Sequence, residues 1–236
     1  MAIENFFNFK SFKIKQPEKG LKVTTEACLL GALAKHPFPQ NLLDIGCGSG
    51  LLSLMVAQRY PNIDLCGIDI NDAVVDNAYF NLSSAPFGNP FQIIKGDFLI
   101  TDFETTYDII ICNPPFFDKH LKSPHDYKNT YLHNDTLPFE QLISKTSTIM
   151  NSSSLFWVLL PPYQMSVFVA LCQKNNINVL KKIEIYSQVD KLFRLICCFT
   201  KDTTSDIINK TLILFDSNKN MTEDFSTLMA DYYLNS

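Results

Sequence analysis

The chain lacks a long hydrophobic run: nowhere in its 236 residues is there a stretch near the roughly 18 to 20 consecutive apolar positions that span a bilayer. Its N-terminus, Met1-Ala2-Ile3-Glu4-Asn5-Phe6-Phe7, lacks the basic segment and apolar core of an export signal. Paired cysteine motifs are missing too. The seven cysteines lie singly at 28, 47, 66, 112 and 172, plus the adjacent Cys197-Cys198, and no C-x-x-C occurs. The four histidines (36, 120, 125 and 133) form no zinc-ligand spacing with them, so reduced, mostly buried thiols and no metal are expected. Excess positive charge is also absent. A net charge of −4 and a pI near 5.5 do not announce a nucleic-acid binder. There is no internal repeat, low-complexity stretch or sign of a second domain. What remains is a globular chain, 46% hydrophobic and 19% charged, with a cytoplasmic location and no membrane contact expected.

The charge that is present is unevenly spread. Residues 1–22 hold Lys10, Lys13, Lys15, Lys19 and Lys22 against Glu4 and Glu18, a local balance of +3 that leaves −7 for the rest. Interleaved with Phe6, Phe7, Phe9 and Phe12, these lysines can track a phosphate backbone while the rings stack on bases. The competing reading is an ordinary arm that packs its phenylalanines and solvates its lysines, and charge alone favours it. Alternation over Phe9–Gln16 predicts a short β-ribbon, and Thr24 or Thr25 can cap a helix running towards Pro37.

The strongest local signal follows. Leu42-Leu43-Asp44-Ile45 reads as a strand, Gly46-Cys47-Gly48-Ser49-Gly50 as a turn, and Leu51 onward as an apolar helix. Glycines let a backbone approach a ligand and aim amides from a helix N-terminus. The dinucleotide pattern is G-x-G-x-x-G; here the spacing is G-x-G-x-G with Asp44 just before it, which would repel a pyrophosphate and suits a cationic ligand. A second strand ends in Asp69, where a carboxylate can accept both hydroxyls of a ribose. A third, Phe91–Lys95, leads to Gly96-Asp97-Phe98.

A fourth strand, Tyr107–Cys112, is stopped by Asn113-Pro114-Pro115-Phe116. Neither proline can donate a ladder hydrogen bond, so the turn is rigid and sits at a strand's carboxyl end, where open α/β sheets bind ligands. Residues 117–136 read as a substrate-facing loop. Leu155–Leu160 and paired strands near 179–187 and 193–200 complete the pattern, and Ile207–Phe215 can add one more. Alternating strands and helices with a terminal hairpin predict an α/β fold: a Rossmann-like doubly wound, mostly parallel seven-stranded sheet with a C-terminal antiparallel hairpin. One catalytic unit, 25–236, preceded by an arm, 1–24, is expected.

The D-x-G-x-G-x-G run resembles motif I of class I S-adenosylmethionine-dependent methyltransferases, and Asn113-Pro114-Pro115-Phe116 matches the [DNS]-P-P-[YFW] motif of their amino-methylating branch. Phe9-Lys10-x-Phe12-x-Ile14-x-Gln16, then Leu21-Lys22-Val23-Thr24-Thr25-Glu26 through Gly31-Ala32, and the closing Ala230-Asp231-Tyr232-Tyr233-Leu234, are similar to the bacterial tRNA(Val) adenine-37 N6-methyltransferases. Departures are Leu21 for Met, Glu26 for Asp, and Leu132 where that family has arginine. The resemblance implies a S-adenosylmethionine cofactor held by Lys22, Thr24, Asp44, Gly46, Gly48, Gly50, Asp69, Ile70, Asp97, Phe98 and Asn113. It implies catalysis by Asn113, Pro114 and Phe116, and tRNA anticodon-loop contacts from Phe116, Phe117, Lys10, Lys13, His133 and Arg194, in a monomer. Methylation of an rRNA or DNA base or of a protein glutamine amide is the alternative, and a dehydrogenase or silent RNA-binding module on the same fold is the further one.

Overall fold

The computed structural model describes residues 5–16, 22–114, 138–203 and 205–234. In chain order the strands are β1 (Phe6–Asn8), β2 (Lys13–Lys15), β3 (Asn41–Ile45), β4 (Asp64–Asp69), β5 (Phe91–Lys95), β6 (Ile109–Cys112), β7 (Leu155–Leu160), β8 (Asn178–Tyr186), β9 (Leu192–Thr200) and β10 (Ile208–Ile213). The helices are α1 (Thr25–Leu33), α2 (Leu51–Arg59), α3 (Asp72–Ser84), α4 (Phe139–Thr148), α5 (Pro162–Lys174) and α6 (Glu223–Met229). β1 and β2 form a separate hairpin, and the other eight strands make one sheet in the order β10-β8-β9-β7-β6-β3-β4-β5.

β5, β4, β3, β6 and β7 run parallel, β9 is antiparallel to both its neighbours, and β8 and β9 form the expected hairpin. The sheet has one strand more than the seven expected. Residues 208–213 pair parallel to β8 and so extend the edge beyond the hairpin. Central strands buried on both faces read as continuous apolar runs, as Ile109, Ile110 and Ile111 do here. Period-2 alternation sends Leu42, Ile109 and Ile111 to one core, with α1, α2, α3 and α6. Leu43, Ile45, Ile110 and Cys112 go to the other, under α4 and α5.

In the arm the ribbon forms, in a different register from the alternation. Phe9 to Phe12 is the turn, closed by the Phe9 N–H donating to the Phe12 carbonyl at 2.8 Å. The Phe9 and Phe12 rings stack at 4.5 Å and are buried in the first core. These two rings are packing elements, so the competing reading of the arm holds for them. Of the run Phe9–Gln16 only Lys13-Ile14-Lys15 is strand; Phe9-Lys10-Ser11-Phe12, apolar at its two ends and polar between, is the turn. Among the described residues no helix is long and apolar enough to cross a membrane.

Candidate active site

β3 carries Asp44 onto the face that meets α2. The carboxylate is fully buried, and its Oδ2 accepts from the Ser53 N–H at 3.2 Å and the Ser53 hydroxyl at 2.8 Å. Ser53 is the third residue of α2, so Asp44 satisfies one of the four unpaired amides of that helix N-terminus. A pyrophosphate would need this helix end; here the chain's own anion occupies it, which disfavours dinucleotide binding. Burial pushes the Asp44 carboxyl up to about 7; the Ser53 hydrogen bonds oppose the rise, and the nearby Asp69 adds to it. The other oxygen, Oδ1, is buried with no hydrogen-bond partner among the described residues.

The turn after β3 holds Gly46, Gly48 and Gly50 at φ of +70°, +54° and +76°, a region that costs a side chain roughly 1–2 kcal/mol. A Cβ at Gly46 would meet nothing within 4 Å, and at Gly48 only the Gly46 carbonyl oxygen at 4.0 Å, so the turn faces open space. Gly50 differs: a Cβ there would lie 2.8 Å from Leu82 Cδ1, so α3 packs against it. The amides of Gly46 and Cys47 both donate to the Ile68 carbonyl, at 2.8 and 3.1 Å, and that of Gly48 donates to Asp69 Oδ2 at 2.9 Å.

Asp69 thus braces the turn, while its Oδ1 accepts from the Asn71 N–H at 3.0 Å. Each oxygen keeps a second lone pair for a hydroxyl. Ile70 beside it is 70% exposed, an unusual apolar surface at a strand end. At the end of β5, Asp97 Oδ1 accepts from the Leu99 N–H at 2.9 Å, leaving Oδ2 for a ligand. The Phe98 ring is buried in the second core, 5.7 Å from Phe103, so only its backbone is available to a cofactor. Thr24 caps α1, its hydroxyl accepting from the Ala27 N–H at 3.2 Å, and Lys22 is exposed just before it.

Ile45 pairs with Cys112, so the chain leaves β3 at Gly46 and β6 at Asn113 from adjacent positions. Asn113 Oδ1 is buried and has no partner among the described residues. Pro114 behind it is buried. A buried acceptor left unmatched costs about 1–3 kcal/mol, and such a site is the place for a ligand's N–H. The thiols are ordinary core residues: all seven cysteines are free and buried, and burial raises Cys47 and Cys112 well above the usual thiol range.

The residues expected to hold substrate are dispersed. Phe116, Phe117 and His133, with the expected loop at 117–136, lie outside the described residues. Leu160 pairs with Leu195, which puts Arg194 at the carboxyl end of β7, the edge that Asn113 occupies on β6. Arg194 is engaged there. It forms an ion pair with Glu26, in the first turn of α1, donates to the Phe193 carbonyl at 2.8 Å, and lies 4.1 Å from the Phe193 ring centroid. Lys10 is elsewhere: its Nζ donates to the Ala230 carbonyl at 2.6 Å, beside Gln58 and Arg59 at the far end of α2 from the glycine turn. Lys13 is exposed, with its Nζ 4.5 Å from the Phe6 ring centroid.

Sequence reasoning missed Ser53 and the pairing of Glu26 with Arg194. Ser53 was findable as the single polar residue in Leu51-Leu52-Ser53-Leu54-Met55-Val56-Ala57, where a hydroxyl on a buried helix face implies a partner. Glu26 had no local signal, because its partner is far away in sequence.

A family model described as methyltransferase small domain matches residues 19–130. The tRNA1(Val) (adenine(37)-N6)-methyltransferase of Pseudoalteromonas translucida is 30% identical over 229 residues, covering 97% of this chain and 98% of that protein. Its counterpart in Dyadobacter fermentans is 33% identical over 233 residues, 97% of each chain. Among solved structures, a predicted O-methyltransferase of Agrobacterium tumefaciens superposes with a TM-score of 0.68 at 18% identity, covering 87% of this chain and 95% of that one. The last likeness is one of fold, whereas the first two run end to end through the glycine turn and the Asn113 strand. This chain belongs to the tRNA1(Val) (adenine(37)-N6)-methyltransferase family.

Proposed function

We propose that the protein transfers a methyl group from S-adenosylmethionine to the exocyclic N6 of adenine 37 in the anticodon loop of tRNA(Val). The observation that carries this reading is Asn113 Oδ1, a buried acceptor without a hydrogen-bond partner among the described residues, set beside the glycine turn. Asp44, with a buried oxygen to spare, and the open space before Gly46 and Gly48 fit a cationic, amine-bearing cofactor. Asp69 would take the ribose hydroxyls, Asp97 Oδ2 the adenine amine, and Ile70 would cover the adenine ring. The cofactor supplies an electrophilic methyl on a sulfonium; the rest is positioning.

An adenine N6 is a poor nucleophile because its lone pair is delocalised into the ring. Asn113 Oδ1 and the Pro114 carbonyl accept its two N–H bonds, which draws the nitrogen towards a tetrahedral geometry and frees the lone pair for in-line attack. The new N–C bond forms as the methyl–sulfur bond breaks, and the extra proton on nitrogen then leaves to water, so no strong base is needed. Phe116, known here from the sequence motif, is the ring on which the extruded base stacks. We assign the catalytic unit to 25–236, with the arm at 1–24 adding tRNA contacts through Lys13 on a single protomer.

The test is mass spectrometry of nucleosides from tRNA of a deletion strain, complemented with the wild-type gene or with Asn113→Ala. N6-methyladenosine should disappear on deletion, return with the wild type and stay absent with the variant. In vitro, Asn113→Ala should lower kcat by about 10²–10³ while S-adenosylhomocysteine affinity holds within about twofold. Unchanged tRNA in the deletion strain would overturn the substrate, and equal loss of turnover and cofactor affinity would overturn the role of Asn113.

A further inference from the structure

Asn81, on α3, is 1% exposed and belongs to neither set of site residues. A polar side chain so deep has to be matched by partners, and those of Asn81 come from two distant parts of the chain. Its Oδ1 accepts from the Lys15 N–H at 2.8 Å. Its Nδ2 donates to the Lys15 carbonyl at 3.1 Å and to the Ser49 carbonyl at 2.9 Å. Lys15 is the last residue of the arm hairpin, and Ser49 sits between Gly48 and Gly50 in the turn. One amide group therefore clamps the arm's backbone on both its donor and its acceptor and joins it to the cofactor turn.

The neighbours make this link selective. Asn77, one helical turn earlier, donates to the same Lys15 carbonyl at 2.7 Å but makes no hydrogen bond to the turn. Asp69 braces the turn at Gly48 but makes no hydrogen bond to the arm. Among the described residues, Asn81 alone hydrogen-bonds to both. Nearby, the exposed Lys13 sets its Nζ over the Phe6 ring, and Lys15 Nζ lies 4.8 Å from the ring centroid of Phe80 on α3. We infer that Asn81 is a positioning residue that locks the N-terminal arm to the glycine turn, so that ordering the arm and binding the cofactor reinforce each other. The inference rests on the cofactor reading given above and not on which RNA is methylated.

Two solution measurements test it: calorimetric affinity for S-adenosylhomocysteine, and amide exchange of residues 5–16. Asn81→Ala should weaken the ligand about tenfold, as expected for removing hydrogen bonds that hold the turn, and should speed exchange in the arm. Asn77→Ala should speed exchange in the arm yet leave affinity within about twofold. From the arm's side, Lys15→Pro removes the N–H that Asn81 accepts and should weaken the ligand as Asn81→Ala does; it carries the test if Asn81→Ala fails to fold. In the wild type, ligand should slow exchange at residues 13–15. Wild-type affinity in both Asn81→Ala and Lys15→Pro, or loss of affinity in Asn77→Ala equal to that in Asn81→Ala, overturns the link. Wild-type protein that binds no S-adenosylhomocysteine would instead overturn the cofactor reading.

Discussion

Asp44 keeps a carboxylate in a dry place, and the consequence is a stability that depends on pH. Its pKa rises from 3.8 to about 7, chiefly through burial. The folded protein then holds a proton that the unfolded chain has already released, so the group's contribution is most favourable below pH 3.8 and is lost as pH rises to about 7. Asn at this position keeps an acceptor for Ser53 and has no charge to desolvate. Asp44→Asn should therefore be more stable than the wild type at about pH 8, with the gain shrinking towards zero near pH 4, as read by urea denaturation at both values. An equal difference at the two would mean that Asp44 does not titrate in this window. If Asp44 helps to hold the cofactor as proposed, the same substitution should weaken S-adenosylmethionine more than its neutral analogues, since a negative charge near the site is lost. The sequence made Asp44 visible as a charge before a glycine turn. Ser53 stood out as a lone polar residue in an apolar helix, but its pairing with Asp44 arises only when β3 and α2 fold against each other.

Elements were legible where chemistry marks their ends. β5 and β7 fall where the apolar runs between prolines, glycines and polar residues put them. In the arm the ribbon was legible but its bend was not, because two buried, stacked rings and the Phe9 N–H to Phe12 carbonyl hydrogen bond set the turn. The three glycines looked equivalent in sequence, and the fold separates them. At Gly50 both the left-handed backbone and the contact with Leu82 exclude a side chain, so Gly50→Ala should wedge α2 from α3 and cost about 3 kcal/mol. At Gly46 the space ahead is open, and Gly46→Ala should cost only about 1–2 kcal/mol while intruding into the space proposed for the cofactor. Denaturation midpoints should thus fall further for Gly50→Ala, and calorimetric affinity for S-adenosylhomocysteine further for Gly46→Ala. The reverse ranking would contradict this division of labour between packing and ligand approach.

At the scale of the whole molecule, the question is how a chain of net charge −4 holds an RNA. The basic arm is divided by the fold. Lys10 closes the N-terminal hairpin onto the C-terminal segment: its N–H donates to the Tyr232 carbonyl at 2.8 Å and its Nζ to the Ala230 carbonyl. Arg59 continues that clasp, donating to the Ala34, Gly31 and Ala32 carbonyls and to the Tyr232 hydroxyl. Lys10 lies in the turn of the hairpin, whereas Lys13 faces outward on β2, on the part of the arm that Asn81 fixes beside the glycine turn. No sequence pattern separates the two lysines, because the distinction depends on where the C-terminal segment passes. They should answer differently to alanine. Lys13→Ala should weaken tRNA binding and reduce the slope of log affinity against log salt by about 1, as for the loss of one phosphate contact. Lys10→Ala should leave that slope unchanged and lower stability by about 1 kcal/mol, read by urea denaturation. A fall in the salt slope for Lys10→Ala would place the RNA across the clasp, at the far end of α2 from the methyl-transfer site, and a tRNA held there by the arm would have to reach Asn113 along the full length of that helix.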